Sequence, residues 1–235
     1  MATDRLYLRD AYLREAEATV ARVEGDRIVL DRTIFYAESG GQMADHGALR
    51  WDGGEARVVD VQPEGGDVVH RVEGAAPPAG ARVRLALDWP RRYGLMRNHT
   101  AAHVLCGVVH QRWGSFSTGN QLYPDKGRAD FEFREWTPEM RGEIEAASNA
   151  VLARDLTVEH RWISRAEFEK GGLLRTKEDL VDPTLSEVRL TDIVGFDVQA
   201  DGGTHVRSLA EVGRLRLGKV ENKGKGIRRL EWVLD

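Results

Sequence analysis

The chain has 235 residues, a formal net charge of −4, 7 histidines and a single cysteine. That length allows one large domain or two small ones. The mildly acidic balance excludes a uniformly basic nucleic-acid binder, so any polyanion contact has to come from a local patch. The lone Cys106 excludes an internal disulfide and fits a reducing, cytoplasmic compartment. No apolar run approaches a membrane span, and the acidic start does not read as a secretory leader.

Residues 1–88 read as strands and turns. Thr19 to Glu24 alternates, Gly25 and Asp26 turn the chain, and Arg27 to Leu30 resumes the alternation. Segments 56–61, 67–72 and 81–87 repeat the theme, and the stretch from Gly74 to Gly80, with Pro77 and Pro78, is a loop. Short strands at this spacing predict a small β-barrel. The composition changes at Asp88, Trp89 and Pro90, where a long helix is expected to begin and to run to Gly114. After it, 128–134 alternates as a strand. Thr137, Pro138 and Glu139 open a second helix with its buried stripe on Met140, Ile144, Ala147 and Val151. Thr157 to Ile163 reads as a strand. Ser164 and Glu167 have capping-box spacing before a short helix that Gly171 and Gly172 end. Strands are expected on both sides of Asp201, with a final pair at the C-terminus. The irregular alternation predicts an α+β fold: a barrel domain over 1–88 and an α+β domain over 89–235.

Two stretches carry possible metal chemistry. His99 and His103 stand four apart on the first helix, so both imidazoles share a face. Asp201 and His205 are also four apart, with Gly202 and Gly203 between them, which reads as a tight loop. Together they make a four-position set of the kind zinc accepts. Such a His pair also occurs as two hydrogen-bonded core histidines, and Thr100 stands where a zinc protease carries its Glu. Cys106, one turn past His103, is either a further ligand or a small buried hydrophobe. The one charge cluster is Lys219, Lys223, Lys225, Arg228 and Arg229, with Gly224 and Gly226 interleaved. It reads as a phosphate-binding patch or as a solvated hairpin turn.

Four motifs coincide in order and spacing: Thr33 to Gln42 with Asp45 and Gly47; His99-x-x-x-His103; Gly202, Gly203, Thr204 and His205 after Asp201; and the basic end from Lys223 to Arg229. In these the chain resembles the free-standing alanyl-tRNA editing proteins of the AlaX type, relatives of the alanyl-tRNA synthetase editing domain. The resemblance runs from about residue 12 to the C-terminus. It implies a barrel packed on an α+β editing domain, and hydrolysis of the ester that joins a wrong amino acid to the tRNA for alanine. That amino acid is chiefly serine, with glycine as a second candidate. It also implies Zn2+ at His99, His103, Asp201 and His205.

Two positions depart from the synthetase pattern: Asp201 stands where Cys is frequent, and Ala102 where Thr is. Serine selection is therefore expected from Thr33 or from a Thr118–Gln121 loop, because Thr100 lies at the wrong helical angle. Gln42, Gln121 and Gln199 are the further polar candidates around the ester, and Gly202 and Gly203 the candidate oxyanion donors. The basic cluster is expected to meet tRNA phosphates. A tRNA-binding module with a degenerate site, and an unrelated metal hydrolase of small esters, are the competing readings.

Overall fold

The computed structural model describes residues 2–179 and 181–235. It divides into two compact units, Met1–Leu95 and Met96–Asp235. Among the described residues, no helix is long and apolar enough to cross a membrane.

The first unit holds β1 (Asp4–Arg5), β2 (Glu15–Glu24), β3 (Arg27–Leu30), β4 (Arg32–Thr33), β5 (Gly47–Trp51), β6 (Gly54–Glu64), β7 (Asp67–Gly74) and β8 (Arg82–Leu87). Six of them close into a barrel in the order β2-β3-β7-β6-β5-β8, while β1 and β4 pair in parallel. Alternation sends Val20, Ile28, Leu49, Val58, Val61, Val83 and Leu85 inward, where all are buried. Gly25, at φ +66°, turns β2 into β3, as its place in the hairpin requires. The strand β5 was not expected. Gly47 serves there because an added Cβ would lie 2.1 Å from the Ala86 carbonyl oxygen of β8.

Two polar clusters are buried in this unit. Arg92 is fully buried; its guanidinium grips the Asp45 carboxylate and donates to the carbonyls of Ala11 (2.8 Å) and Ile34 (2.6 Å). This ties the Asp45 turn to residues that the sequence division at 88/89 assigned to the other domain. His70 is also fully buried. Its Nδ1–H donates to the Ile28 carbonyl (3.2 Å), so its Nε2 accepts from the Thr33 hydroxyl (2.8 Å). The same hydroxyl accepts the Phe35 N–H (3.0 Å).

Burial pushes the His70 pKa down to about 4 from its ordinary 6.5. Its folded pKa is depressed, so its contribution is full above pH 6.5 and is lost as pH falls towards 4. The loss is about 3 kcal/mol at 1.36 kcal/mol per unit. Denaturant unfolding at pH 7 and pH 4.5 should show a steeper loss of stability in the wild type than in His70→Gln. Equal losses would leave this histidine out of the acid response.

The second unit begins within α1 (Trp89–Trp113) and continues with β9 (Ser117–Leu122), β10 (Lys126–Glu132), α2 (Glu139–Leu152), β11 (Val158–Ser164) and α3 (Arg165–Phe168). Then come β12 (Glu187–Ile193), β13 (Asp197–Ala200), β14 (Leu215–Leu217), β15 (Glu221–Gly224) and β16 (Ile227–Leu234). One sheet runs β14-β16-β10-β9, with β15 on β16; the other runs β11-β12-β13. Gly114, at φ +62°, stops α1, and Ser164 Oγ caps α3 by accepting the Glu167 N–H (3.2 Å).

Two expectations are corrected. Residues 118–121, read as a loop, lie inside β9. Backbone pairing places Gln121 opposite Arg128 and Asn120 opposite Ala129, which overrides the strand's polar composition. The Asp201 loop has a strand on its N-terminal side only, and a 3-10 turn (Leu209–Glu211) separates it from β14.

Candidate metal centre

The middle of α1 is buried nearly all round, from Met96 through Val109. It packs on the face of β12 and β13 that carries Arg189, Thr191 and Gln199. The approach is close because α1 has a glycine where it meets the β12–β13 turn. A Cβ on Gly107 would lie 2.8 Å from both Asp197 Oδ2 and the Phe196 ring. Gln199 fixes the pairing: its amide nitrogen donates to the His103 carbonyl (2.9 Å) and to Asp197 Oδ2 (2.9 Å). Asp197 is in turn held by Arg175 (Nε to Oδ2, 3.0 Å).

β13 then delivers the chain into the loop 201–205. Arg189, on β12, donates to the carbonyls of Asp201 (3.1 Å) and Gly203 (3.0 Å). Asp201 Oδ2 accepts the Gly203 N–H (2.8 Å). Neither Gly202 nor Gly203 has a positive φ, so the loop's shape comes from these bonds and not from left-handed backbone.

The loop brings Asp201 and His205 to the helix pair. The ring centroid of His205 is 4.3 Å from that of His99 and 4.6 Å from that of His103, and the helix pair is 5.0 Å apart. One donor atom from each of the four residues lies within 4.8 Å of the others. The Asp201 carboxylate sits between rings, with Oδ1 3.4 Å from His99 Nε2 and Oδ2 2.8 Å from His205 Nε2.

The protonation pattern suits a metal. Burial pushes the His103 imidazole down to about 3 and holds those of His99 and His205 below their ordinary value. Burial alone would raise the Asp201 carboxyl, but the surrounding imidazoles and the His205 contact outweigh it and hold the group well below its ordinary range. The set near neutral pH is therefore three neutral imidazoles and one carboxylate.

Thr100 offers His205 Nδ1 a hydrogen-bond acceptor. Its hydroxyl donates to the Met96 carbonyl (3.0 Å), so towards His205 Nδ1 (3.1 Å) it accepts. In the tautomer that ligates through Nε2, His205 would carry its proton on Nδ1 and donate it to this hydroxyl. The 2.8 Å approach of His205 Nε2 to Asp201 Oδ2 brings both atoms within reach of one cation. The His103 Nδ1 is buried with no hydrogen-bond partner among the described residues. An orphan of that kind costs about 1–3 kcal/mol. The residues present thus fit a divalent metal. Cys106 is not one of them: burial pushes its thiol up to about 12, which makes it a small hydrophobe near neutral pH.

The other candidates fall in different places. Thr33 and Gln42 are fully buried in the first unit. Gln121 is half-buried on β9. Of the cationic cluster, Lys219, Lys223 and Lys225 are exposed; Lys223 approaches Glu221 (3.6 Å), and Lys225 takes φ +50° in the β15–β16 turn. Arg228 donates to Asn222 (2.9 Å), and Arg229 makes a two-pronged pair with Asp130 (2.7 and 2.8 Å). Sequence reasoning passed over Arg189 and set Thr100 aside. The available signal for Arg189 was a charged residue in the same strand phase as the apolar Ile193.

Comparisons with known proteins point the same way. Residues 8–91 match the family model "tRNA synthetases class II (A)", and residues 188–231 match "Threonyl and Alanyl tRNA synthetase second additional domain". The chain is 42% identical to the alanyl-tRNA editing protein AlaX-M of Methanosarcina acetivorans, over 99% of both chains. It belongs to the alanyl-tRNA editing protein family. Another member, from Saccharolobus solfataricus, is 33% identical over 99% of both chains. The alanine--tRNA ligase of Pyrobaculum neutrophilum is 42% identical over 97% of this chain, which spans 26% of that enzyme. The second additional domain match covers Arg189, Gln199, Asp201 and His205, so the editing-domain segment contains the loop half of the cluster.

Proposed function

We propose that the chain is a trans-editing hydrolase that deacylates tRNA for alanine carrying serine. Water cleaves the ester, releasing serine and the free terminal hydroxyl of the tRNA. The observation that carries this reading is the quartet His99, His103, Asp201 and His205, assembled in a chain matched end to end by AlaX-M proteins. Asp201 in place of Cys leaves that set intact, since a carboxylate is an ordinary zinc ligand and its oxygens stand among the rings.

Zinc suits this donor set, and when bound it supplies Lewis-acid polarisation of the ester carbonyl and a lowered pKa for the attacking water. The chain's own residues hold the geometry. Thr100 offers an acceptor to His205 Nδ1, Arg189 clamps the loop, and Gln199 locks helix to strand. Gly203 spends its N–H on Asp201, which leaves the Gly202 N–H as the loop's candidate oxyanion donor. Both N–H groups of Gln199 are engaged, so its amide oxygen is the acceptor we assign to the serine hydroxyl. A site that pairs that hydroxyl discriminates against alanine, which would leave the acceptor unpaired. Deacylation of seryl-tRNA and alanyl-tRNA for alanine, each with and without chelator, tests the proposal. Serine should be released in a chelator-sensitive way and alanine spared; decay equal to the protein-free control rejects it.

The exposed Lys223 and Lys225 are assigned to tRNA phosphates. Replacing both by Ala should weaken tRNA binding and reduce the slope of log affinity against log salt by roughly 1.5, at about 0.7–0.9 per contact, with metal content unchanged. An unchanged slope returns this turn to plain solvation.

A further inference from the structure

Trp162 is the most exposed of the large apolar side chains exposed among the described residues, at 48%. Its position gives that exposure a meaning. It lies on β11, an edge strand of the β11-β12-β13 sheet. The register places it directly opposite Arg189, and the Asp201 N–H continues the same row by donating to the Arg189 carbonyl (3.1 Å). Trp162, Arg189 and Asp201 are therefore successive members of one cross-strand row. The neighbouring row is His160, Thr191 and Gln199. Residues paired across a sheet share a face, so Trp162 and His160 stand on the face that carries the cluster. The His160 ring is 5.7 Å from that of His205. The opposite face of β11 is spent differently, with Ile163 buried among Phe168, Val188 and Leu190.

Two strand spacings separate Trp162 from Asp201, about 10 Å from backbone to backbone. In the proposed substrate, the ribose that bears the ester also bears the terminal base. When the ester reaches the cluster, that base must lie within one nucleoside length of it. An exposed indole at that range, on the same face, is a stacking surface for a base, and stacking accepts any base through its π-face.

We propose that Trp162 stacks on the base of the 3′-terminal nucleoside of tRNA and so places the ester over the cluster; this rests on the reading of the chain as a tRNA deacylase. The test is a cycle of two proteins and two RNAs, read by binding of uncharged tRNA for alanine, either intact or with an abasic 3′-terminal nucleotide. In the wild type, loss of the base should weaken binding about tenfold or more. In Trp162→Ala, intact tRNA should bind as weakly as abasic tRNA binds the wild type, and loss of the base should have no further effect. Trp162→Tyr should restore most of the difference, and the metal content of all three proteins should match. On mischarged tRNA, Trp162→Ala should raise KM far more than it lowers kcat.

An equal effect of the abasic end on wild type and Trp162→Ala would overturn the proposal. So would a Trp162→Ala defect that is the same for both RNAs, which would place the indole against another part of the tRNA. Unchanged affinity for both RNAs would give Trp162 to a different partner. Because binding is read on uncharged RNA, absence of hydrolysis would reject the deacylase reading without disturbing this result.

Discussion

His103→Ala should lose both bound metal and deacylation. The substitution removes one of three imidazoles and leaves a void where its ring stood, so His99, Asp201 and His205 would hold the ion more weakly and in altered geometry. Asp201→Ala tests the less usual member of the set. Metal affinity should fall by well over tenfold, because loss even of a residue that only orients a ligand costs about 10–100-fold. Thr100→Val supplies that comparison within the same site. It keeps the shape, removes the acceptor for His205 Nδ1–H, and should weaken metal binding by about 10–100-fold. Metal analysis of the purified proteins and competition with a chromophoric chelator read all three. If Asp201→Ala keeps its metal but loses turnover, the carboxylate contacts substrate or moves a proton. A wild type that needs no metal for deacylation would reduce the three histidines to ordinary hydrogen-bonding groups.

Asp45→Ala should destabilise the first unit by about 3–5 kcal/mol, the usual result of removing one partner from a buried ion pair. The reason is local. Arg92 has no exposure, and the carbonyls of Ala11 and Ile34 satisfy its hydrogen-bonding groups without balancing its charge. Asp45 also accepts the Tyr36 N–H (2.6 Å), so the turn after β4 loses an anchor at the same time. Denaturant unfolding of the single variants and of Asp45→Ala with Arg92→Met isolates the coupling. The double variant should recover part of the loss, because it buries no unpaired charge. Additive losses would show that the two residues act independently.

The barrel was legible because its code is local. Apolar residues alternate along β2, β6, β7 and β8, and glycines punctuate them. β5 was missed because Gly47, Ala48 and Leu49 carry little alternation, and β9 because its polar residues resemble a turn until β10 pairs with them. The four ligand positions were readable from two short spacings. What supports them was not. Thr100 sits beside His99 in sequence, yet its function depends on a loop about a hundred residues later. Arg189 acts on the carbonyls of Asp201 and Gly203, which no side-chain pattern reveals. The place of Trp162 follows from strand register, which is a property of pairing.

The clamp on the Asp201 loop bears on the heat of metal loading. Arg189 and the Gly203 N–H shape the loop through bonds of the protein itself, and the imidazoles are already neutral and the carboxylate already ionised near pH 7. Loading therefore requires neither folding nor deprotonation. Titration calorimetry near pH 7 should give the same enthalpy in Pipes and in Hepes, which coordinate zinc weakly and differ in ionisation heat, with only a small heat-capacity change. Zinc fingers behave oppositely, because there the metal drives folding. A site prepared in this way can be emptied and refilled repeatedly while the polypeptide around it stays folded.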